Sequence, residues 1–342
     1  MKVGVLTGGG DAPGLNAAIR AVVLSALSRG DEVVGFLDGW KGVQDNLTIP
    51  LDREWVQDIH EVGGTNLGTS RTNPMKSEDT MKAVENHFRE NGLDVLIAIG
   101  GDDTLSVAAE LDRRGFPVVG VPKTMDNDVP ETDYCIGFDT AVNRLMESID
   151  RLRTTSRSHH RVMVVEAMGR DAGWVAGFGG LAGGADVILV PEIEVDLDDV
   201  AQRLEKVRSR GRSYAIVVAA EGISFGEAQV PENAKTDAFG HVILAEKAVG
   251  ERLAQEIESR LGWETRSIQI GHLHRGGSPT AFDRILGTRY GEKAVELAHN
   301  NSFGQMVVLH GLDLTTVPLA QIAGKTKTLY PQFIELIQNL NA

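Results

Sequence analysis

Two carboxylates, a hydroxyl and an amine crowd into six residues at Lys123-Thr124-Met125-Asp126-Asn127-Asp128, just after the apolar run Pro117–Val121. Moving a phosphoryl group onto an alcohol needs a base near the hydroxyl, a metal, and positive charge on the donor. An ordinary aspartate is ionised at neutral pH and ready to take a proton. The competing reading is an Asx-turn with solvated carboxylates, but two neighbouring loops favour chemistry. In Ile99-Gly100-Gly101-Asp102-Asp103-Thr104-Leu105 a carboxylate, Asp102, stands where a magnesium–phosphate group can be held. A helix N-cap would explain one aspartate there, and two less well. In Thr7-Gly8-Gly9-Gly10-Asp11-Ala12-Pro13-Gly14 the glycines let backbone N–H groups approach a phosphate at a helix N-terminus. The alternative is a tight strand-to-helix turn. A GxGxxG fingerprint begun at Gly8 would need glycine at Pro13, which weakens a nicotinamide-cofactor reading, and no GxxxxGK[ST] run exists.

A second set follows: Met168-Gly169-Arg170, Glu221-Gly222, Arg266, and Gly271-His272-Leu273-His274-Arg275-Gly276-Gly277-Ser278-Pro279. The arginine fork suits a phosphate dianion because it bonds two oxygens at once, and a histidine adds a donor. Any one arginine is more often a surface ion-pair partner; repeated placement at strand ends argues for ligands. Met168 is the weakest member, since packing is the usual role of methionine. His159 and His160 have no spaced partner for a metal and read as structural, and Cys135 reads as packing.

The elements that must carry these loops are legible as Val-, Ile- and Leu-rich runs alternating with helical patterns. Strands are expected at Lys2–Thr7, Glu32–Phe36, Asp94–Ile99 and Pro117–Val121, with helices at Gly14–Arg29, Asp79–Asn91 and Thr104–Arg114. The pattern resumes with strands near Arg161–Glu166, Asp186–Val190, Tyr214–Ala219 and Arg266–Ile270, helices at Leu197–Arg210 and Val242–Leu261, and a last helix near Gln332–Leu340. Phe225–His241 reads as a polar surface excursion. Alternation of this kind predicts an α/β fold: two lobes with mostly parallel sheets, helices on both faces, facing a shared cleft. Ligands in such sheets collect beyond the carboxyl ends of the strands, so the first three loops should share a crevice.

A length of 342 residues suits two lobes. With 42% hydrophobic and 24% charged residues the chain is not mainly disordered. No apolar run approaches the roughly 18 residues of a membrane helix, the N-terminal apolar stretch is too short for a signal peptide, and a single cysteine fits a reducing cytoplasm. A net charge of −14, from 34 basic and 48 acidic residues, argues against a nucleic-acid binder. Any anion site must then be a local cluster of cations working against the global field.

The ordered motifs GGGDAPGLNAAIR, GGTNLGTSR, GGDDTL, PKTMDND, MGR, EG and GHLHRGGSP resemble phosphofructokinases over about residues 2–290. The resemblance implies two Rossmann-like three-layer α/β/α lobes: 1–137 with about 275–325 for the donor and Mg2+, and 138–274 with about 326–342 for the sugar phosphate. It implies phosphoryl transfer to the 1-hydroxyl of fructose 6-phosphate, with Asp126 as general base, Thr124 at the reacting hydroxyl, Asp102 as magnesium ligand and Asp128 supporting metal and phosphates. Gly10 and Arg71 would handle the donor phosphates. Met125, Met168, Gly169, Arg170 and Glu221 would line the sugar, and His272 and Arg275, with Leu273 and His274 beside them, would hold the 6-phosphate. Residues matching Arg161 and Arg266 reach in from a neighbouring subunit, which implies a homo-oligomer, a dimer or a tetramer. Of the arginine pair that binds effectors in bacterial ATP-dependent relatives, Arg20 matches the first, but the second position is Leu24.

Two departures from the ATP-dependent pattern bear on the donor. Asp103 stands where those enzymes have the last glycine of GGDG, and Lys123 where they have the glycine of PGT. Asp103 adds bulk and charge where the α-phosphate of ATP would lie, and like charges about 4 Å apart repel by ~1 kcal/mol in water and ~4 kcal/mol near a protein surface. Lys123 adds a cation where charge develops. Pyrophosphate, with no nucleoside to clash, fits both, and the pair resembles the pyrophosphate-dependent members, whose reaction should run in both directions. The alternatives are an ATP-dependent 6-phosphofructokinase and a catalytically silent sugar-phosphate sensor; intact Asp126, Asp102 and Thr124 argue against the sensor. Sedoheptulose 7-phosphate is a second candidate acceptor.

Overall fold

The structure, a computed structural model, describes residues 1–226 and 248–341. Of the expected excursion at 225–241, everything from Glu227 onward lies outside the described residues, as does the first part of the helix expected from Val242. The chain divides into two units: residues 1–140 with 275–327, and residues 141–226, 248–274 and 328–341.

The first unit holds β1 (Lys2–Thr7), α1 (Leu15–Ser28), β2 (Glu32–Phe36), α2 (Trp40–Gln44), β3 (Thr48–Pro50), α3 (Glu78–Glu90), β4 (Val95–Gly100), α4 (Asp102–Arg113) and β5 (Val118–Pro122). α5 (Phe138–His159) starts there and continues into the second unit, which adds β6 (Val162–Ala167), α6 (Trp174–Ala182), β7 (Val187–Leu189), α7 (Leu197–Ser209), β8 (Ala215–Ala220), α8 (Val249–Leu261) and β9 (Thr265–Gln269). The chain then returns to the first unit for α9 (Ala281–His299), β10 (Gln305–His310) and β11 (Asp313–Pro318), and ends with α10 (Pro331–Leu340) in the second.

The first sheet runs β11-β10-β5-β4-β1-β2-β3; its five inner strands are parallel, and both edges, β11 and β3, are antiparallel. Side chains alternate across the pleat. Val3, Val5, Ile97 and Ile99 enter a core with α1 and α9, whereas Leu6, Leu96 and Ala98 enter a core with α3 and α4. Burial on both faces is why these strands read as unbroken apolar runs. The second sheet, β7-β8-β6-β9, is parallel throughout. α8 packs on β6 and β9 beside α7, and α6 packs on β7 and β8.

The mostly parallel, layered α/β architecture expected from alternation is the one observed. One boundary differs in a useful way. The helix expected from Thr104 begins at Asp102, with Gly101 as an N-cap that has no side-chain bond. Asp102 and Asp103 are therefore first-turn residues, where the helix dipole favours carboxylates; neither is a cap. Among the described residues no helix is long and apolar enough to cross a membrane.

Candidate active site

Strands β5, β4 and β1 are parallel neighbours, so the loops leaving their carboxyl ends start side by side. Backbone bonds tie them: Gly8 N–H donates to Ile99 O at 2.9 Å and Lys123 N–H to Gly100 O at 2.9 Å. Gly14, the N-cap of α1, has φ 103°, a backbone conformation that favours glycine. A fourth segment joins them. Asn16 in α1 accepts from Asn66 N–H at 2.8 Å and donates from Nδ2 to Val62 O at 3.0 Å. The Thr69 hydroxyl then donates to Gly9 O at 2.6 Å, and Gly9 N–H to Ser70 O at 3.2 Å. Arg71 follows directly and is exposed.

Lys123 is 2% exposed, and its ammonium donates to Gly8 O at 2.9 Å and to Gly10 O. Burial, helped by the nearby Arg275 cation, pushes this amine down to about 8. Arg275 Nη1 donates to Asp11 O at 3.0 Å. A Cβ on Gly10 would come within 2.7 Å of that same nitrogen, so glycine is what lets the arginine lie on the loop. Two cations thus face the first glycine loop. Arg275, expected with His272 at the sugar phosphate, closes the short 3-10 helix Gly271–Arg275 that also carries His272.

The Asp126 loop is held by its own side chains. Asp126 N–H donates to Thr124 Oγ1 at 3.1 Å. Asn127, at φ 53°, donates from Nδ2 to Asp133 O at 3.0 Å and accepts from Cys135 N–H at 2.9 Å. Met125 and Asp128 are buried. Asp126 is 5% exposed, and its Oδ1 has no hydrogen-bond partner among the described residues. A buried acceptor left open is costly, and the position suits a proton arriving on a ligand. Cys135 packs in the core beside this loop, its thiol pushed up to about 12 by burial and therefore inert.

Asp102 and Asp103 are half-buried in the first turn of α4. Among the described residues no group of three or more His, Cys, Asp or Glu is arranged to hold a metal alone. Magnesium ordinarily takes one or two protein carboxylates plus substrate phosphates, so the carboxylates at the ends of β4 and β5 are a donor set of the right kind.

In the second unit the loops after β6 and β8 meet. The Glu221 carboxylate is buried and accepts from Gly169 N–H at 3.2 Å and Arg170 N–H at 3.0 Å, while Arg170 itself is at φ 53° and Met168 is half-buried. Glu221 thus shapes the Met168–Arg170 turn. Arg161 pairs with Glu264 at 3.0 Å; Arg266 pairs with Glu264 at 2.9 Å and with Glu258 at 3.6 Å. β9 is an edge strand, and all its residues after Thr265 are exposed. His272 and Leu273 are exposed, whereas His274 is buried with Nδ1 bonded to Gly271 O at 2.9 Å. His160, at φ 57°, bonds Ser213 Oγ at 2.7 Å and accepts from Trp263 Nε1 at 2.8 Å.

Three residues hold the site in ways that no spacing reveals, although Asn16 and Asn127 lie inside the motifs. Asn16 and Asn127 are amides whose role depends on distant backbone. Asp283 of α9 is fully buried and accepts from Gly137 N–H at 2.8 Å, Thr140 N–H at 2.8 Å and the Thr140 hydroxyl at 2.6 Å, satisfying the start of α5. Burial pushes its carboxyl up to about 6.

The family model of phosphofructokinase matches residues 2–298. The chain is 52% identical to the pyrophosphate–fructose 6-phosphate 1-phosphotransferase of Dictyoglomus thermophilum, covering 99% of this chain and 98% of that one. It is also 47% identical to ATP-dependent 6-phosphofructokinase 3 of Streptomyces coelicolor, covering 96% of each. Among solved structures it superposes on the pyrophosphate-dependent phosphofructokinase of Nitrosospira multiformis with a TM-score of 0.85 at 20% identity, over 96% of this chain and 86% of that one, a likeness of fold. On the family model and the near-full-length identity, this chain belongs to the phosphofructokinase family, a family of phosphotransferases.

Proposed function

We propose that the protein transfers a phosphoryl group reversibly from pyrophosphate to the 1-hydroxyl of fructose 6-phosphate, giving fructose 1,6-bisphosphate and phosphate. The observation that carries the transfer is the buried Asp126 Oδ1 without a partner, at the end of the strand that also presents Lys123. Asp126 takes the hydroxyl proton as the hydroxyl oxygen attacks the nearer phosphorus, and the P–O bond to the leaving phosphate breaks. Thr124 fixes the Asp126 backbone beside that hydroxyl. Mg2+, when bound, offsets charge on the transferring and leaving phosphates; Asp102 and Asp128 are the carboxylates that would hold it. Arg71, Gly10 and Lys123 serve the donor. Met125, Met168, Gly169, Arg170, Glu221, His272, Leu273, His274 and Arg275 serve the sugar phosphate. Arg161 and Arg266 complete the site of a neighbouring copy, a reading supported by the exposure of β9.

The donor reading rests on Asp103. A helix N-terminus is ordinarily an anion site, and the first turn of α4 already carries two carboxylates. That end can accept phosphate only alongside a cation, and it repels the extra phosphate of a nucleotide. The relatives do not decide the donor, since close ones bear both names. An assay with fructose 6-phosphate and Mg2+ fixed, and pyrophosphate or ATP offered separately, decides it. Turnover with pyrophosphate alone is expected. Turnover with ATP alone replaces the donor reading with the ATP-dependent one, and silence with both, sugar-phosphate binding retained, makes the protein a sensor.

A further inference from the structure

Lys327 lies beyond every motif named above, at the end of the first unit's last segment. Its side chain is only 7% exposed, an unusual place for a lysine. The ammonium donates to Thr132 O at 2.7 Å and to Asp133 O at 3.3 Å, and the backbone N–H donates to Asp128 O at 2.7 Å. Asp133 O is the carbonyl that also accepts from Asn127 Nδ2. One residue therefore grips the Asp126–Asp128 loop twice: at the Asp128 carbonyl, and at the carbonyl where Asn127 anchors the loop. The far side of the same stretch is fixed independently, since the Thr132 hydroxyl bonds Tyr290 Oη at 2.9 Å and accepts from Leu309 N–H at 3.0 Å. Burying an ammonium costs hydration, and charge-assisted bonds to carbonyls are the strong kind that offset it. An apolar residue would avoid the cost but could hold neither carbonyl.

We infer that Lys327 is a positioning residue for phosphoryl transfer, holding the Asp126–Asp128 loop through Asp128, Thr132 and Asp133 so that the Asp126 carboxylate stays within reach of the hydroxyl. The inference rests on Asp126 being the base. Displacing a reacting group by about 1 Å can cost on the order of 10²-fold in rate, so the effect belongs in kcat and not in sugar affinity.

The test compares full-length wild type, Lys327→Met, Lys327→Arg and Asp126→Asn with fructose 6-phosphate, Mg2+ and whichever donor supports turnover, rates being normalised to the folded fraction from circular dichroism. Lys327→Met is expected to lower kcat by about tenfold to a hundredfold while KM for fructose 6-phosphate stays within about threefold. Lys327→Arg, which keeps the cation, is expected to restore most of the rate. Folded Lys327→Met with wild-type kcat, a loss matched by an equal rise in KM, or arginine no better than methionine each overturns the inference. Should Lys327→Met not fold, Lys327→Leu is judged by the same split; if neither folds, Lys327 serves folding and the inference falls. Wild-type turnover in Asp126→Asn sinks the base itself, whereas a dead Asp126→Asn beside a normal Lys327→Met sinks only the positioning role.

Discussion

The loops after β1, β4 and β5 hold their functional groups differently from the segments around β6 and β9. On the first set, Lys123 is enclosed and bonded to backbone carbonyls, Arg275 lies on a third carbonyl, and Asp126 is buried on a loop pinned by Asn127. On the second, Arg161 and Arg266 share the half-buried Glu264 beside an edge strand. Surface pairs of this kind contribute about 0–1 kcal/mol. A guanidinium held so weakly is readily passed to a phosphate dianion, which bonds it in a fork. On the proposed function, the first arrangement would give up solvation to fix geometry, and the second would leave its cations available to a phosphate. Removing groups from each should therefore fail in different kinetic parameters.

The largest loss is expected at the fixed end. Asp126→Asn removes the proton acceptor and leaves the shape, so kcat should fall by about 10²–10⁴-fold, with fructose 6-phosphate binding, measured by calorimetry, unchanged. A fall in affinity as large as the fall in rate would place Asp126 in ground-state binding. Next comes the second arrangement. Arg266→Ala should raise KM for fructose 6-phosphate by about tenfold to a hundredfold, with a smaller change in kcat. If Arg266 serves a neighbouring copy in a dimer, mixing Arg266→Ala and Asp126→Asn proteins under subunit exchange, at fructose 6-phosphate low enough that each alone is nearly silent, should restore about a quarter of wild-type activity. No recovery on exchange would put Arg266 in its own subunit's site.

The difference between the two regions also explains what could be read in advance. Strands β1, β4 and β5 announce themselves because burial on both faces demands unbroken Val, Ile and Leu, and the loops after them are dense in Gly, Asp and Lys. The helices α6 and α9 have no such signature. Trp174–Ala182 carries three glycines, and Ala281–His299 has Gly287 and Gly291 where it crosses α1, so local propensity argues against both. Arg275 reads by motif as a sugar-phosphate ligand; its contact with Asp11 O, for which Gly10 leaves room, is a separate feature. That contact joins residues 264 positions apart, and no local pattern encodes it. Asn16, Asn127 and Asp283 are hidden for the same reason, because each satisfies backbone groups that only folding brings near.

A smaller effect is expected from the residue that the donor reading turns on. Asp103→Gly removes bulk and one negative charge from the first turn of α4. The preference for pyrophosphate over ATP, as the ratio of kcat/KM values, should fall by about tenfold, the size of one like-charge contact of 1–4 kcal/mol partly relieved. An unchanged ratio would mean that the donor is chosen elsewhere, and Lys123 would be the next residue to test.

The mildest test uses pH alone. An exposed lysine titrates near 10.5, but burial, with Arg275 nearby, brings Lys123 to about 8 in the folded protein. Between these values the folded state has given up a proton that the unfolded chain keeps, so the Lys123 contribution to stability rises with pH across that window. Below about 8 the enclosed ammonium costs on the order of 3 kcal/mol relative to an exposed one. Denaturant midpoints measured from pH 7 to pH 10 should therefore show a rising component that Lys123→Arg lacks, because a guanidinium keeps its proton throughout. Catalysis should respond with the opposite sign. If the cation assists transfer from pyrophosphate, kcat/KM for the donor, which reports the free enzyme, should be half lost near pH 8 and fall about tenfold for each unit above it. In Lys123→Arg the alkaline limb should vanish whatever the absolute rate. A limb that stays near pH 8 in that variant would assign the titration to another group and leave Lys123 as a clamp on the Gly8 and Gly10 carbonyls, fixed like its neighbours but silent in the chemistry.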